Sequence, residues 1–408
     1  MKILWASPNS LFDTSNGAAQ SVREILRQLA RGGVEVRILS GTNFVNVNGA
    51  KPLKGCLGQL QASKGRFVDL RDAELTHRTL VTQGYRRRWM HSFEEQIWFD
   101  EYCRVLDDFD PDLVLFFDKS LITLLTCDEA RRRNIRTAVY LAHPNNRGQR
   151  WCRDVDFMLT DSAATAAMYK EREGYDMHPI GKFVDSARYL ATDRHPSTVL
   201  FINPSPEKGV GFVIQLALLL ERLKPDIPIQ VVESRSHWPE VLKAMTARWG
   251  DERSSLRNVE RIAHTDDMRP LYAQARVLLV PSLWWESGSR VAVEALMNGI
   301  PVLASRSGGV PDVVGDGGLV LTFPPSHCAP PYDRAFPRAL LEDAAGWIIR
   351  LFEDEAYYRQ MSMRARAVFE SRHDLEQNTA RLVALLDGLL ARTTPNRVAP
   401  VSSGSSRT

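Results

Sequence analysis

Short apolar runs of strand length alternate with amphipathic helical stretches twice along this chain, and that alternation restricts it to the parallel α/β architectures. Residues 2–6 form an apolar run, residues 18–31 place Val22, Ile25, Leu26 and Leu29 at helical spacing, and Gly32-Gly33 stops the helix before residues 34–39 return as a strand. This is a β-α-β unit with its crossover helix. The same order resumes with strands at 113–117, 137–141 and 157–160 and helices at 121–133 and 163–172. A second series has strands at 199–202, 229–232, 259–262, 277–280 and 301–304, with helices at 210–223, 238–249, 268–275 and 290–298. Residues 339–390 are helical in pattern nearly throughout, and residues 393–408, rich in Ser, Pro and Thr, read as a disordered tail. The expectation is two Rossmann-like doubly wound domains, 1–190 and 191–392, the second carrying the terminal helices.

Composition narrows the function classes. The 408 residues suit two domains, and 52 Lys plus Arg against 49 Asp plus Glu leave a net charge of +3, too small for a general polyanion binder. Nucleic acid is therefore not an expected partner. No apolar stretch approaches the roughly 18 residues of a spanning helix, and Ser7-Pro8 follows the first apolar run too soon for a signal peptide, so a cytoplasmic location is predicted. Five cysteines without a C-x-x-C pair suggest neither a disulfide framework nor structural zinc.

Residues 277–321 carry the densest chemical pattern. An apolar strand ends at Pro281, Ser287-Gly288-Ser289 follows Glu286, and a helix then carries Glu294, so backbone N–H groups at a helix N-terminus face the carboxyl edge of a sheet. That arrangement suits a phosphate. The two acids, eight residues apart, can address different parts of one extended ligand, and carboxylates accept hydrogen bonds from sugar hydroxyls.

The segment resembles the donor-binding signature of glycosyltransferase family 4, retaining enzymes of the GT-B fold. The pattern E-x7-E, A-x-x-x-G-x-P-V and G-G-x-P-[ED] is met by Glu286, Glu294-Ala295, Gly299, Pro301-Val302, Gly308-Gly309 and Pro311-Asp312. Residues 258–267 with Leu271-Tyr272 resemble the family's nucleotide-base strand and following helix, and Pro206-Glu207-Lys208-Gly209 its phosphate-side loop. Residues 2–6, Asn16-Gly17-Ala18 and the helix ending in Gly32-Gly33 are similar to its first strand, glycine loop and helix. The resemblance implies a hexosyltransferase that takes a nucleotide diphospho-sugar as co-substrate, with no cofactor and no metal. It implies catalytic roles for Glu286, near the donor sugar, Lys208, at the diphosphate, and His143, across the cleft. Donor binding would fall to Glu294 at the ribose diol, to Ser287, Gly288 and Ser289 through their N–H groups, and to Gly17 through close backbone approach. Without the resemblance, Lys208 would read as a surface lysine, His143 as structural and Gly17 as a turn residue.

Asn203 stands where the family commonly has an arginine, which removes a cation from the diphosphate site, and Glu233-Ser234-Arg235 stands where a glycine usually follows the second strand. Arg235 is a candidate replacement for the missing charge. The acceptor, whether a small molecule, a glycan or lipid-linked, should be chosen by residues 41–66 and 85–91 of the first domain, where the resemblance is least. Arg86-Arg87-Arg88 could hold an anionic acceptor or make a peripheral membrane contact, although a solvated face also accounts for them, as it does for Arg131-Arg132-Arg133.

A nicotinamide-dependent enzyme would need G-x-G-x-x-G after the first strand, and residues 7–17 hold one glycine. Asp110-Pro111-Asp112 and Asp154-Val155-Asp156 spell D-x-D, but each precedes its strand and reads as a turn rather than a metal site; His264 with Asp266-Asp267 reads as a loop and helix cap. A nucleotide-sugar epimerase of the same fold and a nucleotide-sugar-binding protein without turnover stay open as alternatives.

Overall fold

A computed structural model describes residues 1–117, 120–148 and 154–391; the expected disordered tail lies outside these residues. The first sheet contains β1 (Lys2–Ala6), β2 (Glu35–Gly41), β3 (Phe67–Asp72), β4 (Leu75–Leu80), β5 (Leu113–Phe116), β6 (Arg136–Leu141), β7 (Phe157–Thr160) and β8 (His178–Pro179). Their order is β3-β4-β2-β1-β5-β6-β7-β8, parallel except for the β3/β4 hairpin. The second sheet contains β9 (Thr198–Ile202), β10 (Ile229–Val232), β11 (Val259–Ile262), β12 (Ala275–Val280), β13 (Val302–Ser305) and β14 (Gly318–Leu321), all parallel in the order β11-β10-β9-β12-β13-β14.

Helices cover both faces of each sheet, which is why the central strands are apolar without interruption. In β9, Val199 and Phe201 enter one core and Leu200 the other. In β1, Ile3 and Trp5 face one layer while Leu4 and Ala6 face the opposite one. Strand order reverses beside β1 and beside β9, and in a doubly wound sheet the loops that follow such strands part to leave a crevice.

Four strands escape the sequence pattern. The β3/β4 hairpin turns at Ala73-Glu74, with Ala73 at φ +53°, in place of the Asn-Gly or Asp-Gly that marks a two-residue turn. β8 has only two residues, and β14 begins on a glycine. Among the described residues no helix is long and apolar enough to cross a membrane.

The chain passes between the domains twice. Phe183 belongs to the core of the first sheet and Val184 to that of the second, so the first crossing occupies a single peptide bond, seven residues before the junction at 190 read from sequence. Helices Arg338–Glu353 and Glu355–Arg372 pack on the second sheet, but Leu382 and Leu386 of helix Leu375–Ala391 complete the core of the first. The sequence reading grouped that helix with the second domain; its apolar stripe ties it to Ile25, Leu29 and Trp5 instead. Leu382→Ala should destabilise the first domain by about 2–5 kcal/mol, the usual range for emptying a buried leucine site. Urea unfolding followed through tryptophan fluorescence should show the transition at lower denaturant, and an unchanged midpoint would show the helix to be an ornament.

Candidate active site in the interdomain cleft

The carboxyl ends of the two sheets enclose a cavity of about 710 Å³. It is lined by residues that follow β1, β6 and β7 on one side and β9, β10, β11 and β12 on the other. All ten residues singled out from sequence lie in its wall: Glu286, Lys208, His143, Glu294, Ser287, Gly288, Ser289, Asn203, Arg235 and Gly17.

On the second-domain side, Pro206–Lys208 form one turn of 3-10 helix after β9, and Gly209 takes φ +81° where a Cβ would stand 1.9 Å from the carbonyl oxygen of Pro281. Only glycine allows this loop to lie on the loop after β12. That contact brings Lys208 Nζ into an ion pair with Glu286 Oε1, to which Ser282 Oγ also donates at 2.8 Å. The Glu286 loop is seated from beneath by Gly308-Gly309, whose absent Cβ atoms would lie 2.1 Å from the Glu286 carbonyl oxygen and 2.2 Å from that of Ser287. Burial pushes the Glu286 carboxyl up, but Lys208, the Ser282 hydroxyl and the charge of Lys182 together hold it below its ordinary value.

Helix Arg290–Met297 begins at Ser289, whose Oγ accepts from the N–H of Ala292 at 3.4 Å. One turn on, Glu294 is buried and accepts from Tyr272 OH at 2.5 Å and from Arg290 Nε at 2.9 Å, while Arg290 Nη2 donates to Tyr189 OH at 3.0 Å. Burial is the largest influence on Glu294 and raises its carboxyl above the ordinary range against the opposing effect of Arg290 and Tyr272.

On the first-domain side, Asn16 caps helix Gly17–Arg31 by accepting from the N–H of Ala18 at 3.1 Å, and a Cβ on Gly17 would meet nothing within 4 Å. The protein itself therefore places no steric demand for glycine there. His143 lies two residues past the end of β6, where its carbonyl accepts from Tyr169 OH at 2.6 Å; its Nδ1 accepts from the N–H of Asn145 at 3.2 Å, which puts the proton of the neutral ring on Nε2. Asn203 adopts φ +65°, and its Oδ1 accepts from the N–H of Arg235 at 3.3 Å. Arg235 meets Asn203 through its backbone, while its guanidinium reaches across the cleft, Nη2 donating to the carbonyl of Ser15 at 3.0 Å.

Sequence reasoning missed Lys182 and Asp161, a buried ion pair that also lines the cavity, with Tyr140 OH donating to the same carboxylate. Gly288 is pressed against them: a Cβ there would lie 3.1 Å from Lys182 Cε and 3.3 Å from Asp161 Cβ. The close approach that requires this glycine is thus to the opposite domain as well as to the cavity. No local motif announces Lys182, whereas Arg290, four residues before Glu294, carries the spacing of a helical ion pair.

Among the described residues no three His, Cys, Asp or Glu side chains gather to hold a metal ion. Asp112 accepts from the N–H of Lys2 at 2.7 Å and Asp156 from that of Thr137 at 2.9 Å, so these acids tie down strand beginnings at the edge away from the cavity. Asp267 accepts from the N–H of Arg269 at 3.1 Å and from its Nε at 2.8 Å, but it lies one residue before the N-cap, which is Met268 and makes no side-chain cap bond, so the expected cap role falls one residue short.

The Lys208–Glu286 pair makes a pH-dependent contribution to stability. Because the folded carboxyl lies below its ordinary 4.5, the contribution is present above that value and is lost as pH falls through the folded one. Lys208→Met should be less stable than the parent at pH 7, and the difference in melting temperature should shrink toward pH 3. A difference independent of pH would show that the ion pair contributes nothing.

Residues 196–336 match the family Glycosyl transferases group 1. The MMP alpha-(1->4)-mannosyltransferase of Mycolicibacterium hassiacum is 27% identical over 193 residues, a match covering 46% of this chain and 41% of that protein, so the match spans less than half of the relative's length. Among solved structures, a glycosyltransferase from Rickettsia africae superposes with a TM-score of 0.66 at 13% identity over 96% of this chain and 99% of the other. Anabaena HepE in complex with UDP and glucose gives 0.65 at 16% identity over 95% and 99%. The fold is GT-B, two Rossmann-like domains facing a central cleft, and the comparisons support a glycosyltransferase.

Proposed function

We propose that this protein transfers a sugar from a nucleotide diphospho-sugar to an acceptor hydroxyl, with retention at the anomeric carbon and without a divalent metal. The observation that carries the reading is the Lys208–Glu286 pair, set in the cleft directly before the N-terminus of helix Arg290–Met297. As the bond from the anomeric carbon to the diphosphate breaks, its electron pair goes to the phosphate oxygen, and a cation with oriented N–H groups stabilises that growing charge. Lys208, the N–H groups of Ser287 to Ser289 and Arg235 beside Asn203 supply this stabilisation. Glu286 accepts from hydroxyls of the donor sugar, Glu294 from the ribose diol, and His143 stands opposite the sugar. The acceptor oxygen bonds to the anomeric carbon on the face the diphosphate leaves and its proton passes to the departing phosphate oxygen, which gives retention. The mannosyl transfer named for the Mycolicibacterium relative and the UDP and glucose bound to HepE make UDP-glucose and GDP-mannose the first donors to test.

The direct test incubates purified protein with each donor, with and without a panel of sugar, glycan and lipid-linked acceptors. Acceptor-dependent release of nucleoside diphosphate, unchanged by EDTA and with the anomeric coupling retained in product NMR, is the expected result. Consumption of donor alone, with a new sugar still attached to the nucleotide, would identify an epimerase, and binding without transfer to any acceptor would identify a binding protein.

Two substitutions probe the donor site. Glu294→Ala removes charge-assisted hydrogen bonds worth roughly 1.5–3 kcal/mol and should weaken nucleoside diphosphate binding by about tenfold or more in calorimetry. Arg235→Ala should raise the donor KM, and unaltered donor kinetics in that variant would show that Asn203 has no replacement cation.

A further inference from the structure

Beside the cleft a second cavity of about 250 Å³ opens in the first domain, and Asn16 stands in the wall of both. Its wall includes Arg86, Arg87 and Arg88, with Asn9, Ser10 and Asp13 facing them. The arginines are held in place by aromatic rings. Tyr85 and Trp89 meet edge to face with centroids 5.0 Å apart, the Arg86 guanidinium lies 5.4 Å and 5.3 Å from the two rings, and that of Arg88 lies 5.4 Å from Trp89. A single turn of 3-10 helix, Arg87–Trp89, sets this spacing, and the N–H of Phe44 donates to the carbonyl of Tyr85 at 2.6 Å, fixing the segment to the loop after β2.

The charges in the wall do not cancel. Arg87 is paired with Glu95. Arg86 and Arg88 make no ion pair among the described residues, and Arg86 Nε is buried without a partner. The one carboxylate in the wall, Asp13, is committed elsewhere: Oδ1 accepts from the N–H and hydroxyl of Ser15 at 2.9 and 2.6 Å, and Oδ2 from the N–H of Val45 at 2.7 Å. Two like charges in one cavity wall repel one another until an anion binds with them, and the planar fork of arginine suits phosphate and carboxylate. The cavity is smaller than the roughly 300 Å³ at which whole-ligand sites begin, so it accommodates one sugar-sized unit and not a nucleotide.

From this arrangement we infer that the acceptor is anionic: it carries a phosphate or carboxylate that Arg86 and Arg88 bind in the second cavity, and its hydroxyl enters the cleft past Asn16. The inference rests on the larger cavity being the donor site. Arg88 is exposed and Arg86 half-buried, but both lie against aromatic rings and share a concave wall with Asn9 and Ser10, an arrangement that solvation alone does not call for.

Calorimetry tests it with glucose 6-phosphate, glucuronate and inorganic phosphate against uncharged glucose, on the full chain and on the double variant Arg86→Gln/Arg88→Gln. A parallel arm measures sedimentation with phosphatidylglycerol vesicles against phosphatidylcholine vesicles, which separates a lipid headgroup from a free acceptor as the source of the anion. The expected result is that an anion, free or on vesicles, binds at least tenfold more tightly than its uncharged counterpart and that the double variant loses this advantage while binding UDP as before. Arg88→Gln alone, a change at an exposed side chain, should lose part of it and serves if the double variant does not fold. No preference for charge, or a preference that survives removal of both arginines, overturns the inference. Failure of the parent chain to bind UDP or GDP would instead overturn the donor assignment and leave the anion result to stand by itself.

Discussion

Parallel pairing sends the carboxyl end of every strand except β3 to the same edge of its sheet, and the chemistry of this molecule depends on that constraint. Because β1 and β9 each sit where the strand order reverses, the loops after them diverge from their neighbours and leave room. Once the two edges face each other, residues 220 positions apart become neighbours, as with Arg235 on the carbonyl of Ser15. The helix beginning at Arg290 adds its unpaired N–H groups to the same space without further design, since a crossover helix must start near the carboxyl end of the strand before it.

Charge in the cleft is balanced by contact. Lys208 with Glu286, Arg290 with Glu294, and Lys182 with Asp161 place three cations and three carboxylates around one cavity. Burying an unpaired charge costs several kcal/mol, so these pairs make an empty cleft tolerable. They differ in how freely they can exchange partners. Lys208 and Glu286 are partly open to solvent, whereas Lys182 and Asp161 are almost wholly enclosed. Lys208 can therefore leave its carboxylate for another anion at modest cost, while Lys182 and Asp161 act as a fixed support behind Gly288.

Much of this was legible in the sequence for definite reasons. Continuous apolar runs marked the central strands because both sheet faces are covered, and the spacing from Glu286 to Asp312 is fixed in part because the Gly308-Gly309 loop must lie under Glu286 and Ser287. Legibility failed where partners come from elsewhere in the chain. Lys182 acquires its role only by meeting Asp161 and Gly288, and the β3/β4 hairpin turns on an alanine at positive φ, which carries no turn signal. The helix at 375–391 was recognisable as a helix, but its amphipathic pattern cannot say which of two cores receives the apolar side.

That helix has a mechanical consequence. The polypeptide leaves the first domain at Phe183-Val184 and returns between His373, bonded to the carbonyl of Val313, and Asn378, which donates to the carbonyl of Lys182 at 3.1 Å. The two crossings lie side by side, and two adjacent tethers define an axle. Such an axle leaves rotation about the line through the tethers, in the manner of a book, as the least constrained relative movement of the two halves, because sliding or twisting would strain both tethers at once. Since Lys182 borders the cavity and its carbonyl holds the return crossing, the spine of the book runs along the floor of the cleft, and a ligand gripping both walls acts on the shortest possible lever.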